Sequence, residues 1–411
     1  ADGDGEPDAT DAYPLDARYS TDSDGDGLAD GWELTGFSDL ATADEITDSD
    51  GDGVLDGDEF AHGSDALMPA PFTPQVIAAG GYHSLAIRVD GSVLAWGYNN
   101  YGQLGDGSSG YYADQAYPRA VFGLTDIIAV AAGEQHSLAL DQAGQVWAFG
   151  HNNEGQLGDG STDNASLPTA VMDESGVPFD GVIAIAAGDD HSLALKADGT
   201  VWAWGSNDSG QLGTGESGSS TDRLYPTQLR DANDEPITGI VAIAAGSSQS
   251  FALKADGRLL GWGYNGYGVL GDDTTTNRLH PVAVLDLDHR PLAGIAEVAA
   301  GSNFTLVRLL DASVQAFGRN NYGQLGDGTT RNHGYPLPVV DMGFVPIGAI
   351  GGLAAGWRHV LAMTTDGRLL SWGDNDYGQL GDGGWSDRYR AAGVIDYAGN
   401  DPMDVRAISS G

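Results

Sequence analysis

The stretch AAGDDHSLALKADGTVWAWGSNDSGQLGTG, residues 186–215, decides the fold. It occurs six times in variant form. Aligned on an aromatic residue followed by glycine, the copies fall at Trp96-Gly97, Phe149-Gly150, Trp204-Gly205, Trp262-Gly263, Phe317-Gly318 and Trp372-Gly373. Successive glycines lie 53, 55, 58, 55 and 55 residues apart. A regular period of this length signals a repeat architecture, in which each unit buries its apolar face on its neighbours.

Within the unit, HSLAL and VWAWG are short runs rich in Leu, Val and Trp, separated by Asp198-Gly199. The pair recurs as Asp90-Gly91, Asp256-Gly257 and Asp366-Gly367. This pattern predicts hairpins, with both turn residues at positive φ. VIAIAAG (182–188) supplies a further strand. A fourth runs near Pro118–Val121 and Pro168–Val171, where proline suits a sheet edge. Four short strands per repeat make one β-propeller blade.

The composite AAGxxHSLAL…DGxVWAWGxNxxGQLGDG resembles the regulator of chromosome condensation (RCC1-like) repeat. That resemblance covers residues 76–411 and implies an all-β propeller, usually of seven blades. Six complete repeats are expected here, with the start of a seventh in VRAISSG (405–411). Copies five and six drift: Phe304 and Gln315-Ala316-Phe317 replace parts of the pattern, and Asp311-Ala312 lacks the turn glycine. The end inside a repeat reads as a segment of a longer polypeptide. Other readings are a strand completed by a neighbouring molecule, or end strands that close a six-bladed ring.

Residues 1–67 differ in kind. They hold 21 acidic residues and one basic residue, Arg18, a net of −20. Such self-repulsion calls for cations. Asp22, Asp24, Asp26, Gly27, Asp30 and Glu33 spell D-x-D-x-D-G-x-x-D-x-x-E. Asp48, Asp50, Asp52, Gly53, Asp56 and Glu59 repeat it 26 residues later. Alternating carboxylates on a tight loop aim several oxygens at one centre, the requirement of a hard ion such as Ca2+. The carbonyls of Leu28 and Val54 are expected to add to them. A third, broken copy offers Asp2, Asp4, Asp8 and Asp11. The segment resembles thrombospondin type 3 repeats of bacterial secreted proteins, which implies a small loop-rich calcium array, with Trp32 and Phe60 as a minimal core. Residues 68–75, MPAPFTPQ, read as a Pro-rich linker.

The whole chain has 59 acidic and 18 basic residues, a net charge of −41. Nucleic-acid binding, which depends on Lys and Arg, is therefore not expected, nor is docking on anionic lipid. No apolar run reaches the length of a membrane span. There is no cysteine, which removes disulfides, thiolate metal sites and a cysteine nucleophile together. An extracellular protein without disulfides needs another staple, and calcium is the candidate.

No nucleophile elbow, phosphate loop or HExxH helix occurs. Acidic pairs abound for glycoside chemistry, yet nothing singles one out. His83, His136, His191 and His359 share one slot of the repeat with Gln249 and Phe304, so packing or hydrogen bonding is expected there, not metal ligation. Asn99, Asn152, Asn207, Asn265, Asn320 and Asn375 are expected to hold the turn before GQLG. Segments 172–181, 230–239 and 285–294 should emerge together on one face. Tyr111, Tyr112, Tyr117, Tyr225 and Tyr335 form a second set, with a composition suited to recognition.

The expected function is that of a non-enzymatic, secreted, calcium-binding structural or adhesive protein, extracellular or on a bacterial cell surface. Its propeller would bind a protein, a polysaccharide or further copies of itself in a fibre. The resemblance also implies an alternative, a protein-binding propeller of the inhibitor type, since relatives include a nucleotide exchange factor acting on chromatin and a β-lactamase inhibitor. A polysaccharide-degrading enzyme is the third reading.

Overall fold

A computed structural model describes residues 77–396, 399 and 405–411. The predicted calcium loops and the linker lie outside the described residues.

Among the described residues, twenty-four strands form six antiparallel sheets, each pairing in chain order. Blade 1 is β1 (Ile77–Ala79), β2 (His83–Ile87), β3 (Val93–Gly97) and β4 (Gln115–Ala120). Blade 2 is β5 (Ile127–Ala132), β6 (His136–Asp141), β7 (Val146–Gly150) and β8 (Ala165–Ala170). Blade 3 is β9 (Val182–Ala187), β10 (His191–Lys196), β11 (Val201–Gly205) and β12 (Arg223–Gln228). Blade 4 is β13 (Ile240–Ala245), β14 (Gln249–Lys254), β15 (Leu259–Gly263) and β16 (Arg278–Ala283). Blade 5 is β17 (Ile295–Ala300), β18 (Phe304–Leu309), β19 (Val314–Gly318) and β20 (His333–Pro338). Blade 6 is β21 (Ile350–Ala355), β22 (His359–Thr364), β23 (Leu369–Gly373) and β24 (Arg388–Gly393). The proline-bearing strands are outermost, as their missing donor requires.

The hairpins differ from the expected two-residue turns. Asp198 keeps a negative φ, and only Gly199 is positive, at 77°. Gly199 N–H donates to Lys196 O and Lys196 N–H to Thr200 O, which defines a three-residue loop closed by a left-handed glycine. Asp198 earns its place through its side chain: Oδ1 accepts from Thr200 N–H and Oγ1–H. In blade 5 the glycine position is Ala312, forced to φ 60°.

The core lies between blades. Leu85, Val93 and Leu104 of blade 1 pack on Val130, Ala139 and Phe149 of blade 2. The same interlock recurs between blades 2 and 3, 4 and 5, and 5 and 6. β10 is buried at five successive residues because neighbouring blades cover both of its faces. The aromatic of the Trp-Gly pair fixes the spacing. The Trp204, Trp262 and Trp372 indoles are fully buried and donate to the carbonyls of Gln156, Gln211 and Gln324 in the preceding blade.

At the centre the backbones come very close. A methyl group on Gly80 would stand 2.4 Å from Gly133 O. The relation passes on from Gly133 to Gly188, Gly246, Gly301, Gly356 and Gly411, and Gly411 meets Gly80 O in turn. Seven glycines thus form a closed circle, although there are six four-stranded blades. Segment 405–411 supplies the seventh place. Val405 N–H donates to Gly367 O and Trp357 N–H to Gly411 O, the bonds that Val182 and Gly81 make elsewhere. Ser409 Oγ accepts from Ala79 N–H at 2.9 Å and Ser410 Oγ meets His359 Nε2 at 2.9 Å. The end segment therefore closes the ring of six blades, taking a seventh inner position between blade 6 and blade 1.

Candidate functional site

The inner glycines and the residues after them, among them Gly81, Glu134, Asp189 and Trp357, line a central channel, and two recurring polar devices set the positions of the side chains on its mouth. The first is the asparagine after each aromatic-glycine pair. Asn265 is fully buried; its Oδ1 accepts from Leu270 N–H, and its Nδ2 donates to Asp272 Oδ1, Thr274 Oγ1 and Thr276 O. The other five asparagines accept from the equivalent leucine N–H. The turn is rigid, so the residues on either side of the asparagine are held out in a fixed place.

The second device is the histidine slot. His83, His136 and His191 place Nε2 at 2.8, 3.0 and 2.9 Å from the hydroxyls of Ser137, Ser192 and Ser250 in the next blade. Each hydroxyl donates its one proton to a backbone carbonyl, of Gln103, Gln156 and Gln211 respectively. The imidazole must then donate from Nε2–H, which leaves Nδ1 bare, and all three Nδ1 atoms lack a partner. Burial holds these rings neutral: His83 and His191 are lowered to about 3 and His136 to about 4. Gln249 fills the slot by donating to Gly301 O and Ser302 O. The slot is a blade-to-blade joint, as its acceptance of Gln and Phe implies.

On this frame, the residues after each inner glycine and beside each asparagine gather around the channel mouth. They form two contrasting arcs. Trp357, Tyr82, Tyr98, Tyr101 and His151 run from blade 6 across blade 1 to blade 2, with ring centroids 6.0, 6.0, 6.4 and 4.6 Å apart. The aromatic arc extends to blades 4 and 5. Arg319 lies over Tyr267 and Tyr322 at 5.3 and 5.8 Å, and Arg358 over Tyr322 at 4.7 Å.

The other arc, on blades 2 and 3, is acidic. Burial, then Glu134 and Asp190 nearby, pushes Asp189 up to about 6, with Ser247 opposing. Burial and Asp190 raise Glu134. Glu154 is raised by burial and by Asp222, which shares a hydrogen bond with it. Asp190 goes the other way: burial opposes its charge, but His151, 3.6 Å away, holds it low. Among the described residues Glu134, Asp189, Asp190 and Glu154 pair with no Lys or Arg, so this arc carries unbalanced negative charge.

Other clusters are self-contained. A groove of about 730 Å³ on blades 2 to 4 is lined by Trp202, Arg223, Arg230, Asp231 and His280 among others. Its charges are used internally: Arg223 pairs with Glu216, Arg230 with Asp234, and Asp231 Oδ1 accepts two N–H groups of its own turn. Asp374, Asp376 and Asp387 lie close together, but Asp374 accepts from Asp376 N–H and Asp387 from Asn375 N–H.

All the predicted calcium ligands, from Asp2 to Glu59, fall outside the described residues. The predicted tyrosines do not converge. Tyr111, Tyr112 and Tyr117 are exposed and Tyr111 packs on Tyr112, whereas the Tyr225 hydroxyl sits against Gly160 and Tyr335 against His333. The segments at 172–181, 230–239 and 285–294 form equivalent small hairpins, joined at Met172–Pro178, Arg230–Pro236 and Leu285–Pro291. The aromatic arc was not foreseen. Its signal lay in the variable neighbours of a constant asparagine: Tyr98 and Tyr101, Tyr264 and Tyr267, Arg319 and Tyr322.

The sequence matches the RCC1-like domain over residues 51–411. The ultraviolet-B receptor UVR8 of Arabidopsis thaliana is 33% identical over 323 residues, 78% of this chain and 69% of that protein. The E3 ubiquitin-protein ligase HERC2 of Mus musculus is 29% identical over 318 residues, which are 76% of this chain but 6% of the ligase. Human WBSCR16 superimposes with a TM-score of 0.68 at 26% identity, covering 82% of this chain and 83% of that one. Yeast RCC1 (Prp20), solved bound to Kap60, gives 0.63 at 25% identity, covering 78% and 75%. The family match covers most of the chain and the solved relatives share its fold: the chain belongs to the RCC1-like domain family.

Proposed function

We propose that this propeller is a non-enzymatic protein-binding module whose partner sits on the channel-mouth face. The observation that carries the reading is the face itself, an aromatic and arginine arc beside an unbalanced acidic arc, both held by rigid turns. Aromatic and Arg side chains are the usual anchors of protein interfaces, and complementary charge sets orientation. The relatives support it: yeast RCC1 was solved bound to Kap60, and Prp20p of Saccharomyces cerevisiae was examined for binding to Gsp1p and histones. Fold alone carries no partner across. The test is affinity purification from the source organism with the native chain, a Tyr322→Ala/Arg358→Ala variant and a Tyr111→Ala rim variant. A partner retained by the native chain and the rim variant but lost with the face variant supports the reading. Equal retention by all three overturns it.

A second reading concerns residues 1–67. The two complete D-x-D-x-D-G-x-x-D-x-x-E loops support binding of Ca2+, and with it a thrombospondin type 3-like array on an extracellular or bacterial surface protein. In that setting the propeller would act as an adhesive or fibre-forming unit. Calorimetric titration with Ca2+ tests it. Two or more sites lost in Asp24→Ala/Asp50→Ala, with light scattering that drops on chelation, is the expected result. No heat of binding by the native chain sinks it.

A further inference from the structure

The aromatic arc over blades 6, 1 and 2 has a chemistry of its own. The rings of Trp357, Tyr82, Tyr98, Tyr101 and His151 follow one another edge to face, with interplanar angles between 61° and 75°. Tyr82 is 53% exposed and Trp357 41%. Upright rings make ridges and clefts, not one flat platform. At their foot lies Gln103, fully buried. Its Oε1 accepts from Tyr101 N–H at 3.1 Å, while Nε2 has no partner among the described residues. At the same repeat position Gln156 Nε2 donates to His151 Nδ1 and Asp190 Oδ1, and Gln211 Nε2 to Ser206 Oγ. By that equivalence the Gln103 amide is directed to the same face, where Tyr98 and Gln135 stand in the places of His151 and Asp190. Its spare group is a donor, and a buried donor without a partner costs about 1–3 kcal/mol. Asn100 Oδ1, one turn away, is a spare acceptor.

We propose that this arc is the docking groove for a proline-rich segment of a partner protein, held as a polyproline II helix and carrying a lysine or arginine at the end that reaches blades 2 and 3. Three features converge on that occupant. Prolines present compact apolar faces that enter clefts between upright rings, and the helix is preformed, so little entropy is lost on docking. A proline-rich strand offers carbonyls without internal hydrogen bonds, which matches the spare Gln103 N–H, and the Asn100 Oδ1 acceptor is left for an N–H of a non-proline residue in the segment. The groove ends at His151, 3.6 Å from Asp190, and Glu134, Asp189 and Glu154 follow without a cationic partner among the described residues. A basic residue there balances them and sets the direction of the peptide. A pyranose, by contrast, lies flat on one open ring face, and each ring here has a neighbour standing against it.

The inference rests on the protein-binding reading and narrows it. The probes are a fluorescently labelled twelve-residue proline-rich peptide with one terminal arginine, the same peptide with alanine in that position, and cellohexaose, each titrated into the full chain. Saturable micromolar binding of the arginine peptide is expected, weakened at least tenfold in Tyr82→Ala and several-fold in Asp190→Asn. Added salt should weaken the arginine peptide and leave the alanine peptide unchanged. Tyr82 is half exposed, so its variant should keep the native melting curve; Tyr98→Phe, which keeps the ring, should retain binding. No saturation by either peptide at millimolar concentration overturns the proposal, as does binding indifferent to Tyr82→Ala. Saturable cellohexaose binding that depends on Tyr82 overturns it in favour of a glycan. If the peptides fail while partner capture still depends on Tyr322 and Arg358, this inference falls and the broader one stands.

Discussion

A buried histidine that stays neutral well into the acid range is the residue on which much of this molecule turns. His83, His136 and His191 are neutral when folded, with folded values of about 3 to 4 against 6.5 when free. Between those values the unfolded chain binds more protons than the folded one, so stability is full above pH 6.5 and is lost as pH falls through that window. The loss is about 3 to 5 kcal/mol per ring by the acid end. Asp189 opposes it. Its folded value is raised to about 6, so its contribution is full below the free value of 3.8 and is lost as pH rises through 6. Glu134 and Glu154 are raised in the same sense as Asp189, but His359 is lowered with the three rings and Asp190, Asp272 and Asp382 are held low, so acid destabilisation should win. His191→Gln copies the chemistry of Gln249 in blade 4. Urea unfolding of this variant should differ from native by about 1 kcal/mol or less at pH 7 and show a smaller loss at pH 4.5. An unchanged pH slope would place the acid sensitivity elsewhere. The sequence already revealed that this slot takes Gln and Phe. It could not reveal the tautomer, which depends on a serine hydroxyl 54 or more residues away.

At the scale of the element, strands were legible and turns less so. HSLAL and VWAWG announce themselves by composition, and proline marks the outer strand. The hairpin turn was misjudged because Asp-Gly fits two loop types, and only the bond from Gly199 N–H to Lys196 O separates them. Blade 5 shows the consequence. Ala312 holds the left-handed position that glycine fills elsewhere, at a cost of about 1–2 kcal/mol. Ala312→Gly should therefore raise the stability of the chain by about 1 kcal/mol, read as a higher denaturation midpoint with an unchanged slope. The opposite substitution at the hub is severe. In Gly188→Ala the new methyl would stand 2.4 Å from His191 Nδ1 and 2.6 Å from Gly246 O. A loss of about 3 kcal/mol or more is expected, visible as a lowered melting temperature. The aromatic arc belongs to this scale as well. Its residues come from five different blades, and no local pattern links Trp357 to Tyr82.

For the whole molecule, the period between aromatic-glycine pairs was enough to establish a propeller, and the composition set residues 1–67 apart. What the sequence left open was how the ends meet, because a segment of seven residues carries no record of its partner. Ser409 and Ser410 settle it by binding Ala79 and His359. Ser409→Ala/Ser410→Ala should cost about 2 kcal/mol and speed amide exchange in β1 more than in β13. Equal exchange in both strands would show that these bonds do not hold the ring shut.

That closure has a kinetic side. Every blade is built from neighbours in sequence, and each packs on the next one along the chain, so assembly can begin at any blade and spread in both directions. The bond between Ala79 and Ser409 alone spans 330 residues. It can form only after the blades between them have brought those two positions together. Closing the circle is then expected to come late in folding and its reversal early in unfolding, with one seven-residue segment as the latch on the lifetime of the native state.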